Sequence, residues 1–197
     1  MKIVGLTGGI GSGKTTVAGF FKEFNIPVYI ADDAGKRLMQ TSSEIRKEII
    51  DLFGADAYEA KVPNRKFIAS RVFNDKEQLS KLNQIIHPAV EKDFEYWLED
   101  QNSDYVIYEA AILFETGGYK KCDFSILVTA PKKLRIERLQ NRDNSSVDEI
   151  KDRMENQWDD EKKSQMADFI IENKELAQTK LQVEDIHSKI LKAGKNW

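Results

Sequence analysis

The chain has a single cysteine, Cys122, among its 197 residues, which excludes an internal disulfide and suits a reducing compartment. It has no apolar run long enough to span a bilayer. No leader-like segment precedes the first apolar stretch, which starts at Lys2. A soluble, cytoplasmic protein with no membrane partner is therefore expected. Charge of one sign is lacking too. Thirty basic and 33 acidic residues leave a net charge of −3, and the cations are mixed with acids, so there is no electrostatic footprint for nucleic acid. Histidine is scarce, and no His/Cys/Asp grouping has transition-metal spacing. Internal repeats and low-complexity linkers are missing. At this length, one domain with small inserted subdomains is expected, with a core that needs no staples. Nothing calls for an obligate protein partner, and the many charges argue against a large apolar interface.

What is present is concentrated near the N-terminus. Gly8-Gly9-Ile10-Gly11-Ser12-Gly13-Lys14-Thr15 fits G-x-x-x-x-G-K-[ST] at every fixed position. Lys2-Ile3-Val4-Gly5-Leu6-Thr7 upstream reads as a strand. Thr16 to Phe24 reads as an amphipathic helix with Val17, Phe20, Phe21 and Phe24 on one face. Strand, glycine loop and helix together make a phosphate cradle. The glycines open the backbone to the anion, and the helix N-terminus faces it. Lys14 is placed to reach the outer phosphates, and the Thr15 hydroxyl to hold Mg²⁺. The competing reading, a turn that merely links strand to helix, does not require these flanks.

Further strand-like runs lie at Val28 to Ala31, Tyr105 to Tyr108, Phe124 to Thr129 and Phe169 to Glu172. Those at Tyr105 and Phe124 are apolar on successive residues, as strands covered on both faces are. Between Asp32 and Gln101 the periodicity is helical, with Ile45, Ile49, Ile50 and Phe53 on one face. Leu79, Leu82, Ile85 and Ile86 share another face, then Val90, Phe94, Trp97 and Leu98. Ser42 and Ser43 are candidate caps, and Pro88 is expected in the first turn of the helix it opens. A long charged helical stretch runs from about Lys132 to Lys163, and a C-terminal helix carries Leu181, Val183, Ile186, Ile190 and Leu191. Five strands interleaved with helices predict an α/β fold with a five-stranded parallel sheet.

Three features bear on where a phosphoryl group goes. Asp32 ends the second strand, on the same sheet edge as the glycine loop, where a carboxylate can accept or orient the proton of an attacking hydroxyl. The alternative is a turn or capping role, the reading that suits Asp33. Arg135, Arg138 and Arg142 form a stripe on one helical face, followed by the loop-like Asp143-Asn144-Ser145-Ser146. Guanidinium groups pair with phosphate oxygens and stabilise charge in the transition state, whereas the plainer reading is a solvated face balanced by Glu137. Arg65 and His87 are candidates to contact an anionic or hydroxyl-rich substrate. Two fragments imitate a switch GTPase. Asp32-Asp33-Ala34-Gly35 fits D-x-x-G but follows Lys14 too closely, and Asn173-Lys174-Glu175-Leu176 lacks the acid that reads guanine. The loop is not G-x-G-x-x-G, so a dinucleotide oxidoreductase is not supported.

Taken in order, several elements resemble the dephospho-CoA kinase family. They are Thr7 to Thr16, Ala31-Asp32, Arg65, Val72-Phe73, His87-Pro88, Ile112-Leu113-Phe114-Glu115, Arg138-x-x-x-Arg142-Asp143, Arg153-x-x-x-Gln157 and Ala167-Asp168…Asn173. The resemblance runs from residue 1 to about 175. It implies a P-loop fold like that of nucleoside monophosphate kinases, and ATP-dependent phosphorylation of the ribose 3′-hydroxyl of dephospho-CoA, the last step of coenzyme A synthesis. Carried over by position, Asp32, Lys14 and Arg138 are catalytic. Gly9, Gly11, Ser12, Gly13, Lys14, Thr15, Thr16 and Arg142 bind ATP. Asp32, Arg65 and His87 bind the substrate, and Thr15 holds the metal. The implied organisation is a single kinase domain, with a core over 1–31, 104–131 and 164–197, a substrate insertion over 32–103 and a lid over 132–163. Dephospho-CoA is expected between insertion and core, and the lid arginines over the transferring group. The chain departs from the family pattern at Ile30, where an acid is common, at Ala111, where a proline is expected, and at Lys174-Glu175, where a glycine is replaced. Glu109, at the end of the third strand, lies where a metal-linked acid can sit, without an assigned role. A kinase of similar architecture acting on a nucleotide, nucleoside or other small alcohol is the alternative enzyme, and a P-loop switch ATPase or GTPase the alternative class.

Overall fold

A computed structural model describes residues 1–73, 75–143 and 146–193. The first elements are β1 (Lys2–Thr7), α1 (Lys14–Glu23), β2 (Val28–Ile30), α2 (Ala31–Thr41), α3 (Ser43–Phe53), β3 (Tyr58–Glu59), β4 (Val62–Pro63), α4 (Arg65–Val72) and α5 (Lys76–Glu99). There follow β5 (Tyr105–Glu109), β6 (Phe124–Thr129), α6 (Lys132–Asp143), α7 (Val147–Glu155), α8 (Asp160–Ser164), β7 (Phe169–Glu172) and α9 (Leu176–Ala193). The chain divides into two compact units. One holds Met1–Ile30 and everything from Asn102 onward, and the other is Ala31–Gln101.

The first unit is built on a five-stranded sheet in the order β2-β5-β1-β6-β7, parallel throughout. Its central strands are apolar on both faces. Val4, Leu6, Val106, Ile107, Ile126, Leu127 and Val128 are all fully buried, the pattern that helices on both sides of a parallel sheet produce. Val17, Ala18 and Phe21 of α1 and Val183, Ile186 and Ile190 of α9 complete this core. The expected α/β fold with a five-stranded parallel sheet is the fold observed. In β1 a Cβ at Gly5 would lie 2.5 Å from Leu113 Cδ2 and 2.9 Å from Cys122 Sγ, so any larger residue there forces those side chains to shift.

The second unit is helical and has its own core of Ile45, Ile49, Ala57, Tyr58, Ile68 and Leu82. Ser42 caps α3, its Oγ accepting the Ile45 N–H at 3.3 Å, and Asn64 caps α4 from Oδ1 at 3.2 Å. The Tyr58 hydroxyl donates to the Met39 carbonyl at 2.8 Å. One expectation is corrected here. Pro88 does not open a helix but sits inside the continuous α5. An interior proline removes one backbone donor, yet Leu82 before it and Val90 and Phe94 after it are buried on the same helix, so packing on both sides outweighs the lost bond. The second strand is also one residue shorter than its apolar run, because Ala31 already belongs to α2.

The charged stretch from Lys132 to Lys163 forms α6, α7 and α8 rather than one helix. Ser146 starts α7 with a reciprocal capping box, its hydroxyl taking the Glu149 N–H while the Glu149 carboxylate takes the Ser146 N–H. Asn144 and Ser145 of the expected lid loop, and the last four residues of the expected core, lie outside the described residues.

Candidate active site

The glycine loop joins β1 to α1. Gly11 and Gly13 have φ of +79° and +90°, values that disfavour any residue with a Cβ. A Cβ at Gly13 would also collide with the Asn173 amide, and one at Gly9 with the Arg135 guanidinium. Gly13 is the N-cap of α1, whose first turn has no acidic residue, so the positive end of the helix dipole is left for an anion. Lys14 Nζ donates to the Gly8 carbonyl at 2.9 Å and lies 4.0 Å from Oε1 of Glu109, a buried residue at the end of β5. Thr15 and Thr16 are exposed on the first turn of α1. Ser12 is fully buried, and its Oγ has no hydrogen-bond partner among the described residues.

Residues far along the chain hold this loop. Asn173, at the end of β7 and buried, donates from Nδ2 to the Ser12 carbonyl at 2.8 Å, and the Thr179 hydroxyl lies 3.0 Å from its Oδ1. The arginine stripe on α6 divides. Arg135 Nε donates to the Ile10 carbonyl at 2.8 Å, and its guanidinium pairs with Asp160 at 3.1 Å. Arg138 reaches the carbonyls of Ser12 at 3.4 Å and Asn173 at 3.0 Å. Arg142, one turn further on, pairs instead with Asp143, which Arg153 also contacts at 3.2 Å. Those two arginines, Arg142 first, bring the Asp143 carboxyl down to about 2. Glu137, the acid expected to balance the stripe, has no part in these contacts.

In a second cluster only Glu115, the end of the Ile112-Leu113-Phe114-Glu115 element, had a signal in the sequence. Lys163 is fully buried, its Nζ 2.8 Å from Glu115 Oε1, and the same oxygen accepts the Trp158 N–H at 3.1 Å. Lys163 is one of four charged side chains within Asp160 to Lys163, and only its burial distinguishes it. Asn173 was read in the sequence as part of an incomplete guanine motif and as the end of the Ala167-Asp168…Asn173 element of the family resemblance, with no contact assigned to it. Its neighbour across the loop gives it a structural meaning that spacing alone does not carry.

The remaining candidates lie in the helical unit. Asp32 is in the first turn of α2, one residue beyond the strand-like run, where a carboxylate suits the helix dipole. Arg65 opens α4. His87 is on α5. Desolvation lowers its pKa, and the Asp32 carboxylate opposes that shift, so the two groups sense each other. All three residues keep solvent-accessible surface, and the crowding that lowers His87 is partial. Cys122 is a half-buried thiol. Burial, seconded by the Asp123 carboxylate, pushes its thiol up to about 12. Among the described residues no group of three or more His, Cys, Asp or Glu side chains is arranged for a metal, and no helix is long and apolar enough to cross a membrane.

A phosphate loop of this form, set between the first strand and first helix of a parallel sheet with arginines from a later helix against it, defines a P-loop kinase. Residues 2–178 match the family described as dephospho-CoA kinase. The chain is 41% identical over 177 residues to the dephospho-CoA kinase of Salinibacter ruber, covering 88% of this chain and 89% of that one. It is 38% identical over 171 residues to that of Bacteroides fragilis, covering 86% and 83%. Among solved structures it superimposes on a Thermus thermophilus protein with a TM-score of 0.87 at 28% identity, covering 95% and 97% of the two chains. It superimposes on a dephospho-CoA kinase from Campylobacter jejuni at 0.69 and 25%, covering 97% and 98%. Shikimate kinase from Bacteroides thetaiotaomicron, at 0.52 and 16%, shares the fold. The chain belongs to the dephospho-CoA kinase family.

Proposed function

We propose that this chain transfers the γ-phosphoryl group of ATP to the ribose 3′-hydroxyl of dephospho-CoA, completing coenzyme A in the cytoplasm, with no further partner required. The observation that carries this reading is the family match over residues 2–178 together with a phosphate loop already held in shape by Asn173, Arg135 and Arg138.

In this reading the loop from Gly9 to Gly13 and the head of α1 at Thr15 and Thr16 bind the triphosphate, and Lys14 follows its outer charges. The donor set suits Mg²⁺ brought with the nucleotide. The Thr15 hydroxyl, exposed at the head of α1, would be the protein group that holds the ion, with phosphate oxygens and water supplying its other ligands. When bound, the ion neutralises phosphate charge. Asp32 accepts the proton of the attacking hydroxyl as its oxygen bonds to the γ-phosphorus. The bond from that phosphorus to the β–γ bridging oxygen breaks, and ADP leaves. Arg138 and Arg142 stabilise the charge on the transferring group, and residues 132–163 act as a lid that excludes water. The helical unit serves as the substrate-binding insertion, with Arg65 and His87 contacting the coenzyme A moiety.

The experiment is an assay of ADP release with MgATP, with and without dephospho-CoA, and mass spectrometry of the product. Release that depends on dephospho-CoA, with a product heavier by one phosphoryl group, supports the reading. Release indifferent to dephospho-CoA refutes it in favour of another acceptor or a switch ATPase.

A further inference from the structure

Ile10 stands at the middle of the glycine loop, and both of its backbone polar groups are bonded to side chains from far along the chain. Its N–H donates to Gln157 Oε1 at 2.8 Å, and its carbonyl accepts Arg135 Nε at 2.8 Å. The two side chains are themselves connected. Arg135 pairs at 3.1 Å with Asp160, the first residue of α8 and three beyond Gln157, which lies in the link from α7. That link is fixed in turn, because the Trp158 N–H and Lys163 both bind Glu115 Oε1, at 3.1 and 2.8 Å. Gln157, Asp160 and Arg135 thus surround one residue of the loop, Ile10, and hold the peptides on both sides of it.

We propose that Gln157 is a positioning residue for phosphate binding. A loop with glycine at four of its first six positions is costly to order. Its amides serve an anion only if they already converge when the anion arrives. Holding the Ile10 N–H withdraws that group from the phosphates and sets the direction in which the following peptides leave. Gly11 to Thr15 are then presented at the start of α1, where a helix cannot satisfy its own first amides. Glutamine suits the task because its amide oxygen accepts a hydrogen bond without bringing a negative charge near the phosphates. The inference rests on the nucleotide reading of the loop but concerns a residue that need not touch the nucleotide.

Two measurements on the full chain test it. In wild type the Ile10 amide is protected from hydrogen exchange without nucleotide, as followed by NMR. Gln157→Leu removes the acceptor but keeps the bulk. It speeds Ile10 exchange and raises the KM for MgATP roughly tenfold, about what one lost hydrogen bond yields. The kcat and the KM for dephospho-CoA stay within about twofold, because ground state and transition state lose the contact equally. Gln157→Glu keeps an acceptor oxygen and restores Ile10 protection, while its charge leaves the KM for MgATP high. An Ile10 amide that exchanges in wild type as fast as an exposed loop amide overturns the proposal. So does Gln157→Leu with an unchanged KM for MgATP, or with both KM values rising together as Tm falls. Calorimetry with MgADP separates the two readings. If wild type binds no MgADP, the nucleotide reading fails, while the exchange data still decide whether Gln157 holds the loop.

Discussion

Around the phosphate loop, polar groups are tied to residues 48 to 161 positions away. Asn173 and Arg138 hold the Ser12 carbonyl, Arg135 and Gln157 hold Ile10, and a fully buried Lys163 holds Glu115. In the helical unit the residues assigned to the acceptor side, Asp32, Arg65 and His87, are exposed. Asp32 and Arg65 make no side-chain hydrogen bond among the described residues. The contrast follows from what each side must recognise. A triphosphate presents the same charges to every P-loop, and a rigid array of donors gains most from being assembled beforehand. An acceptor hydroxyl needs one base and some anchoring, and free side chains can gather on it when it binds. Under the proposed roles, the first region binds stability and function together, while the second keeps them apart.

The sharpest way to break that contrast is Asp32→Asn. It should cut kcat by about two to four orders of magnitude, the usual range for a positioned proton acceptor, with Tm and MgADP affinity near wild type. A comparable loss of stability would show that Asp32 is built into its surroundings as the loop residues are. Lys14→Ala comes next. It should weaken MgATP binding and kcat together, by about tenfold or more each, as loss of a charged hydrogen-bond donor entails. Strong catalysis without Lys14 would remove it from the phosphate site.

On the pinned side the predicted damage is to the fold. Lys163→Met leaves the Glu115 carboxylate buried without its partner. Because that side chain retains 14% of its exposure, the loss should fall near the lower end of the range for broken buried pairs, about 3 kcal/mol. Urea unfolding measures it, and adding Glu115→Gln should recover part of the loss. Full stability in the single variant would mean that the pair is not what ties down this loop.

The smallest effect compares the units directly. His187 in the sheet unit, 2.7 Å from the Tyr105 hydroxyl, and His87 in the helical unit are both pushed below the ordinary 6.5, in each case chiefly by desolvation. Asp104 and Asp32 respectively oppose the shift. The unfolded chain takes up these protons at about 6.5 and the folded one resists, so stability is complete above that pH and falls as the pH drops below it. Tm measured from pH 7.5 to 5 should decline. His187→Phe should flatten the slope more than His87→Gln, if ties are tighter in the sheet unit.

The strands were legible because a parallel strand buried on both faces leaves a continuous apolar run, and Phe124 to Thr129 is one. The phosphate loop was legible because its chemistry fixes residue types at consecutive positions. Pro88 misled, since its local preference for a helix start was overruled by apolar packing on both sides of it. The charged stretch from Lys132 was helical as read, but its division depended on the cap at Ser146. Gln157 and Asn173 were marked by the family resemblance and Lys163 by nothing, but the contacts of all three were beyond reach of spacing. Their partners are 147, 161 and 48 positions away, and no periodicity spans such gaps.

The route from β2 to β5 carries a further consequence. These strands are adjacent and parallel, with Val28 beside Ile107 and Ile30 beside Glu109. Neighbouring parallel strands need a crossover of only about a dozen residues, yet here the crossover is the whole of Ala31–Gln101. The crossover is therefore a compact unit with its own core, and changes inside it leave the hydrogen bonds of the sheet untouched. On the proposed reading, in which this unit holds the acceptor, a change of acceptor is confined to one contiguous stretch of sequence.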